Sequence, residues 1–253
     1  MGCIDPYFPK EVALKLRDAI NINTFIETGT FFGATSKWAA SEFQEVHTIE
    51  LSEHIYNITK DDLSSWINIR RHLGNSKNIL PEILKKIESN VLFWLDGHYS
   101  KGITAGADEP CPLLFELQSI LPRQYNDIIL IDDAHFYTGK DGFPTIFDIT
   151  SLTNKISPMK RNITVCDDHI YIIPDNEIII DIVYSYIIKR QIILYNKTNT
   201  ITNTANNLLL LIKNAICNLP RRVKNISYDL FIKCLKKTKI YNPARYMYRI
   251  YKK

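Results

Sequence analysis

Three groups of residues in this 253-residue chain have the types and spacing to do chemistry. The first is Glu27-Thr-Gly29-Thr30-Phe-Phe-Gly33, where two glycines stand four apart at the end of an apolar run. A bend without Cβ atoms lets a ligand approach the backbone and permits a left-handed φ. Strand, glycine bend and helix in succession are how a parallel α/β sheet admits a nucleotide-bearing cofactor. A structural tight turn would use the same residues. The second group is Glu50, which lies 21 residues after Gly29 and closes a β-branched run. An acid at that distance can accept hydrogen bonds from both hydroxyls of a ribose; the plainer role is a surface acid beside a helix. The third is Asp96-Gly97-His98 together with Asp132-Asp133, each set directly after an apolar run of strand length. Carboxylates gathered at one sheet edge repel, and a divalent cation resolves the repulsion. Oxygen-only ligands favour Mg²⁺, whereas capping of the following helices is the alternative use. His98, two residues past Asp96, carries an imidazole that titrates near neutrality and can take a proton from a hydroxyl. His135, two past Asp133, is the second choice for that role, and either histidine could instead be structural.

The elements around these residues must bring them to one edge. Residues 7–20 read as a helix, Thr24–Glu27 as a strand, Ala34–Phe43 as a helix and Val46–Glu50 as a second strand. Ser52 offers an N-cap. Ile67–Leu73 reads as a third strand, Gly74-Asn75-Ser76 as a turn, and Ile79–Ile87 as a helix with Pro81 early, where proline is tolerated. Val91–Leu95 and 127–131 are apolar on both faces, as buried parallel strands are. Helices are expected over Cys111–Leu121 and Phe143–Ile156. Asn162–Val165 and Ile170–Ile173, flanking Cys166-Asp-Asp-His169, read as a closing antiparallel pair. Strands alternating with helices imply a doubly wound, Rossmann-like α/β sheet, mostly parallel with an antiparallel strand at the end. The segment Tyr99–Pro112, rich in Gly and Pro, is long enough for a loop that closes over substrate. Residues 196–206 are polar and low in complexity, and read as a linker or loop.

Taken together, Glu-Thr-Gly-Thr-Phe-Phe-Gly-Ala-Thr at 27–35, Glu50, Asp96-Gly-His98 and Ile-Asp-Asp at 131–133 resemble the class I S-adenosylmethionine-dependent methyltransferases. The set is most similar to the metal-dependent O-methyltransferases of macrolide and aminocoumarin sugars, over residues 22–175. The phrases Phe-Trp-Leu-Asp-Gly-His-Tyr-Ser and Ile-Leu-Ile-Asp-Asp-Ala also resemble bacterial proteins linked to surface-glycan genes. The resemblance implies that Glu27, Gly29, Thr30, Gly33 and Glu50 line the S-adenosylmethionine site, with Asn75 and Ser76 bordering the adenine. It implies Mg²⁺ on Asp96, Asp132 and Asp133, and methylation of a sugar hydroxyl whose proton goes to His98. Many of the sugar enzymes carry an aspartate where His98 stands.

Charge divides the chain. Residues 1–175 hold 16 Lys+Arg against 24 Asp+Glu, a net −8, while residues 176–253 hold 15 against 3, a net +12. Two parts are therefore expected: a methyltransferase domain over 1–175 and a basic, mainly helical extension over 176–253. In the extension, Ile226, Leu230, Phe231, Cys234 and Leu235 could form one apolar helix face with lysines beside it and tyrosines following. Such a helix suits an anionic membrane surface, ahead of packing in a homodimer and of nucleic-acid binding. The five scattered cysteines argue for a reducing compartment and against a disulfide framework or zinc site. The start lacks the pattern of a signal peptide or acylation site, and no apolar run reaches the ~20 residues that span a bilayer. The chain is thus expected in the cytoplasm, at most peripheral at the inner face of the membrane. A nicotinamide-dependent oxidoreductase and a non-catalytic membrane-surface scaffold are the rival functions; the glycine spacing is wider than the usual dinucleotide fingerprint.

Overall fold

The computed structural model describes residues 8–98 and 111–199, with side chains to residue 194. It divides into two units, Met1–Asp175 and Asn176–Lys253.

Seven strands form the sheet of the first unit: β1 Thr24–Thr28, β2 Glu45–Glu50, β3 Ile69–Leu73, β4 Val91–Leu95, β5 Ile128–Ile131, β6 Arg161–Cys166 and β7 His169–Pro174. Their spatial order is β3-β2-β1-β4-β5-β7-β6. β1 to β5 are mutually parallel, whereas β7 pairs antiparallel with both β5 and β6. β7 alone therefore runs against the rest, which is the doubly wound sheet expected from the sequence. β1, β4 and β5 are buried at every position, and this explains why they carry no polar alternation.

Adjacent strand residues face opposite sides of the sheet, and the two sides bury different chemistry. On one side Ile26, Phe93, Ile129 and Ile131 pack with Leu80 and Ile83 of α5 (Ser76–Leu84), Leu117 of α6 (Leu113–Ile120) and Ile149 of α7 (Ile146–Ile156). On the other, Phe25 meets Phe43 and Phe8, and Phe8 meets both Trp94 at 4.8 Å and Trp38 of α2 (Ala34–Glu42). Each such side chain stabilises by about 1.5–3 kcal/mol on burial. Helix α1, Lys10–Ile20, precedes β1, and the short helices α3 (Glu53–Ile58) and α4 (Lys60–Ser64) follow β2. The Ser52 hydroxyl accepts from the Ile55 amide and caps α3 as expected.

Two expectations are corrected. The helix placed at Ile79–Ile87 starts earlier, at Ser76, because the Asn75 side chain accepts from the Lys77 amide and caps it. Gly74-Asn75-Ser76 is thus a helix start, and Pro81 lies in the helix interior. The polar segment 196–206 is helical at its beginning, since α8 runs Glu177–Asn199 with no proline or glycine to stop it. The rest of that segment, the chain's start, the apolar face at 226–235 and all but the last two residues of the Tyr99–Pro112 loop lie outside the described residues. Among the described residues, no helix is long and apolar enough to cross a membrane.

Candidate functional site

One edge of the sheet gathers the chemistry. Just beyond the strand ends, the amide of Gly29 donates to Ile49 O at 2.9 Å and that of Gly74 to Glu50 O at 2.9 Å. The amide of Asp96 donates to Thr28 O at 3.0 Å and that of Asp132 to Leu95 O at 3.1 Å. These bonds extend the ladder across five parallel strands, so Glu50, Gly29, Asp96 and Asp132 share a rim at the carboxyl ends of the strands. Open α/β sheets bind ligands at this edge.

The glycine bend sits at the middle of the rim. Gly29 has φ +89°, and a Cβ there would strike the backbone carbonyl of Asp96. Gly33, at φ +71°, occupies the N-cap of α2, and a Cβ there would run into the Leu63 side chain. Behind the bend, buried Glu27 accepts from the Ser36 hydroxyl at 2.5 Å and the Thr48 hydroxyl at 2.9 Å, while the Thr30 and Thr48 hydroxyls lie 2.6 Å apart. Burial pushes the Glu27 carboxyl up to about 7, against those hydroxyls and that of Thr35, with the charge on Glu50 adding to the rise.

Glu50 is held from two sides. One oxygen accepts from the Phe31 amide at 2.9 Å and the other from the Ser52 amide at 2.8 Å. Burial raises this carboxyl too, against the amides of Ser52, Phe31 and Leu51. Each oxygen keeps a second lone pair for another donor. Asn75 is occupied as the cap of α5, and buried Ser76 stands beside Glu116 on α6. Glu116 is fully buried; burial lifts its carboxyl above the usual range, against the nearby hydroxyls of Ser76 and Thr28 and the charge on His98.

The aspartates meet three histidines. Nδ1 of His98 is 3.6 Å from Asp96 Oδ1, and Nε2 is 3.1 Å from Asp133 Oδ2. Neither nitrogen is aligned for a hydrogen bond, although the side chain is only 3% exposed. Phe136 and Phe143 wall the ring at 5.6 and 5.7 Å. His169 Nε2 lies 3.2 Å from Asp132 Oδ1, and His135 Nδ1 lies 2.6 Å from Asp168 Oδ2. Asp96 is driven well above its usual range by burial first, then by the charges of Asp132, Asp133 and Glu27. Asp133 is drawn below it, chiefly by the close His98 imidazole, against burial. Among the described residues, the set with one ligand atom each within 4.8 Å of the others is Asp133, His135 and Asp168, and the expected metal acids Asp96 and Asp132 are not in it.

The structure therefore brings Glu27, Gly29, Thr30, Gly33, Glu50, Asp96, His98, Asp132 and Asp133 to the carboxyl edge of the sheet, with Asn75 and Ser76 one strand further along. Sequence reasoning missed Ser36, Thr48, Glu116, Asp168 and His169. A lone acid in the apolar run Leu113-Leu-Phe-Glu-Leu117 was a signal for Glu116. The Cys166-Asp-Asp-His169 turn was a signal for the last two. A separate cavity of about 260 Å³, lined by residues including His47, His72, Glu82 and Lys86, contains none of the rim residues.

No protein-family model matches the chain, and no curated protein matches it. Among solved structures, the chain is similar to a methyltransferase of Podospora anserina bound to SAH, at 17% identity and TM-score 0.44, over 66% of this chain and 77% of that one. It is similar to a candidate methyltransferase of Streptococcus mutans in complex with SAH, at 12% identity and TM-score 0.45, over 66% and 97% of the two chains. An rRNA methylase of Streptococcus thermophilus gives 11% identity and TM-score 0.43, over 68% and 99%. Likenesses of this extent carry no argument about the site, whose chemistry rests on its own residues.

Proposed function

We propose that the chain is an S-adenosylmethionine-dependent, Mg²⁺-dependent O-methyltransferase that acts on a sugar hydroxyl of a surface glycan or glycosylated metabolite. The observation that carries this reading is the shared rim: a bend with glycine at its two left-handed positions, Gly29 and Gly33, a clamped acid beside it, and an aspartate–histidine cluster on the neighbouring strands. Glu50 and the glycine bend support the methyl donor, and the charges crowding Asp96 support a cation beside it. Gly29 lets the bend pack directly on the Asp96 carbonyl at a left-handed φ, and Glu50 is fixed with acceptor capacity to spare. Asp96, Asp132 and Asp133 crowd enough negative charge for a cation to relieve.

When bound, S-adenosylmethionine supplies the electrophilic methyl group and Mg²⁺ the positive charge that eases loss of a hydroxyl proton. The protein's part is positioning and proton transfer. Glu50 orients the ribose, and Glu27 with its hydroxyl partners stiffens the bend. Nearly buried His98, 3.1 Å from Asp133, takes the acceptor's proton. With the donor held at the Gly29 bend and Glu50, its methyl group would pass to the deprotonated acceptor oxygen and the sulfur would keep the bonding pair. Holding donor and acceptor in register supplies much of the acceleration. The basic extension, residues 176–253, suits an anionic membrane surface near which a glycan acceptor would be found.

Mass spectrometry of surface polysaccharide from a strain lacking the protein tests the acceptor. A missing methyl group on one sugar supports it, and an unchanged methylation pattern contradicts it.

A further inference from the structure

Helix α6 turns one stripe into the core: Leu113, Glu116, Leu117 and Ile120 are its buried residues. An apolar side chain would fill each of these positions at least cost, yet one of them holds Glu116, which is 1% exposed. A buried carboxyl is costly unless its neighbours compensate. Those acting on Glu116 are the hydroxyls of Ser76 and Thr28 and the imidazole of His98, with no lysine or arginine among them. Burial without a cation favours the neutral carboxylic acid, which both donates and accepts.

The elements that meet at Glu116 are those that build the rim. Ser76 begins α5, Thr28 ends β1, and Gly97 stands between Asp96 and His98 just after β4. A Cβ on Gly97 would lie 3.1 Å from Thr28 Oγ1 and 3.4 Å from Glu116 Oε1, so the Asp96-Gly97-His98 turn rests on these two atoms. The first amide of the turn, that of Asp96, donates to Thr28 O at 3.0 Å. Both Thr28 Oγ1 and Glu116 Oε1 are buried without an aligned hydrogen-bond partner among the described residues. Stability alone would favour an apolar pair of the same shape here, so a polar pair held at this cost points to a role at the site above it.

We propose that Glu116 is a positioning residue: with Thr28 and Ser76 it holds the Asp96-Gly97-His98 turn and the start of α5 in register beneath the rim. Both contacts reach the residues proposed to hold the methyl donor. Gly29 packs on the Asp96 carbonyl, and the Gly74 amide, two residues before Ser76, donates to Glu50 O at 2.9 Å. The effect on ligand binding rests on that reading of the rim; the effect on the turn does not.

The test compares Glu116→Leu, Glu116→Gln and Thr28→Val with wild type in the full chain. Denaturant melts report stability, amide hydrogen exchange reports the segments 76–79 and 96–98, and calorimetry reports S-adenosylhomocysteine affinity. Leucine keeps the bulk and removes the polar atoms, so Glu116→Leu should melt no earlier than wild type. It should nevertheless exchange at least about tenfold faster in both segments and bind S-adenosylhomocysteine at least about tenfold more weakly. Thr28→Val should loosen the segment 96–98 in the same way, and it carries the test should Glu116→Leu fail to fold. Glu116→Gln, neutral and hydrogen-bonding, should match wild type in all three measurements. Wild-type exchange in both Glu116→Leu and Thr28→Val, exchange in Glu116→Gln as fast as in Glu116→Leu, or undiminished affinity in a loosened Glu116→Leu overturns the proposal. Should wild type bind no S-adenosylhomocysteine, the donor reading fails, while the exchange comparison still decides the role of Glu116.

Discussion

Gly29 and Asp96 are in contact through the absence of an atom: a Cβ on Gly29 would collide with the Asp96 backbone carbonyl. The first bend of the sheet and the first acid of the carboxylate cluster are thereby locked edge to edge. Gly29→Ala must move one of the two strands and place alanine at φ +89°. The expected cost is about 2 kcal/mol or more, seen in denaturant melts, with S-adenosylhomocysteine affinity lost in the folded fraction.

Glu27 gives the stability a pH signature. Its folded carboxyl titrates at about 7 against an ordinary 4.5, so the folded state holds a proton that the unfolded chain releases. Its contribution is therefore full below pH 4.5 and is lost as pH rises to about 7, a fall of roughly 3 kcal/mol. Urea melts across that window should show a flatter profile for Glu27→Gln than for wild type. Equal slopes would mean that Glu27 is ionised throughout.

The opposite edge of the sheet provides a control. Arg123 Nε donates to buried Asp127 at 2.8 Å, and Asp127 also accepts from the Val91 amide at 2.9 Å where β4 begins. Burial raises the Asp127 carboxyl, and Arg123 opposes the rise. Arg123→Ala removes the cation bonded to that carboxylate, leaving Arg161 as the positive charge nearby, and should destabilise by about 3 kcal/mol. Ligand affinity of the folded protein should be unchanged, because the pair lies at the far end of the strands from the rim.

How much of this was legible in the sequence depended on distance along the chain. Short-range patterns carried far: Val91–Leu95 and Ile128–Ile131 announced themselves by unbroken apolar runs, and the acids at their ends fell on the rim. Gly29 and Glu50 were findable because one βαβ turn fixes their separation. Pro81 misled, since a helix start was inferred from proline tolerance while the Asn75 cap set the true start. The pairs His169–Asp132 and His135–Asp168 join residues more than thirty apart through the antiparallel register of β7 on β5. Nothing in local spacing encodes that register. Glu27's hydroxyl partners, Ser36 and Thr48, lie closer in sequence, nine and 21 residues away, in the same βαβ unit.

The central claim is that the rim holds an adenosyl methyl donor between Gly29 and Glu50, and calorimetric titration with S-adenosylhomocysteine tests it most directly. The account predicts one site per chain in wild type, with affinity reduced about tenfold or more in Glu50→Ala, a loss of at least ~1.4 kcal/mol. Absence of binding to wild type, or equal affinity in Glu50→Ala, would contradict it.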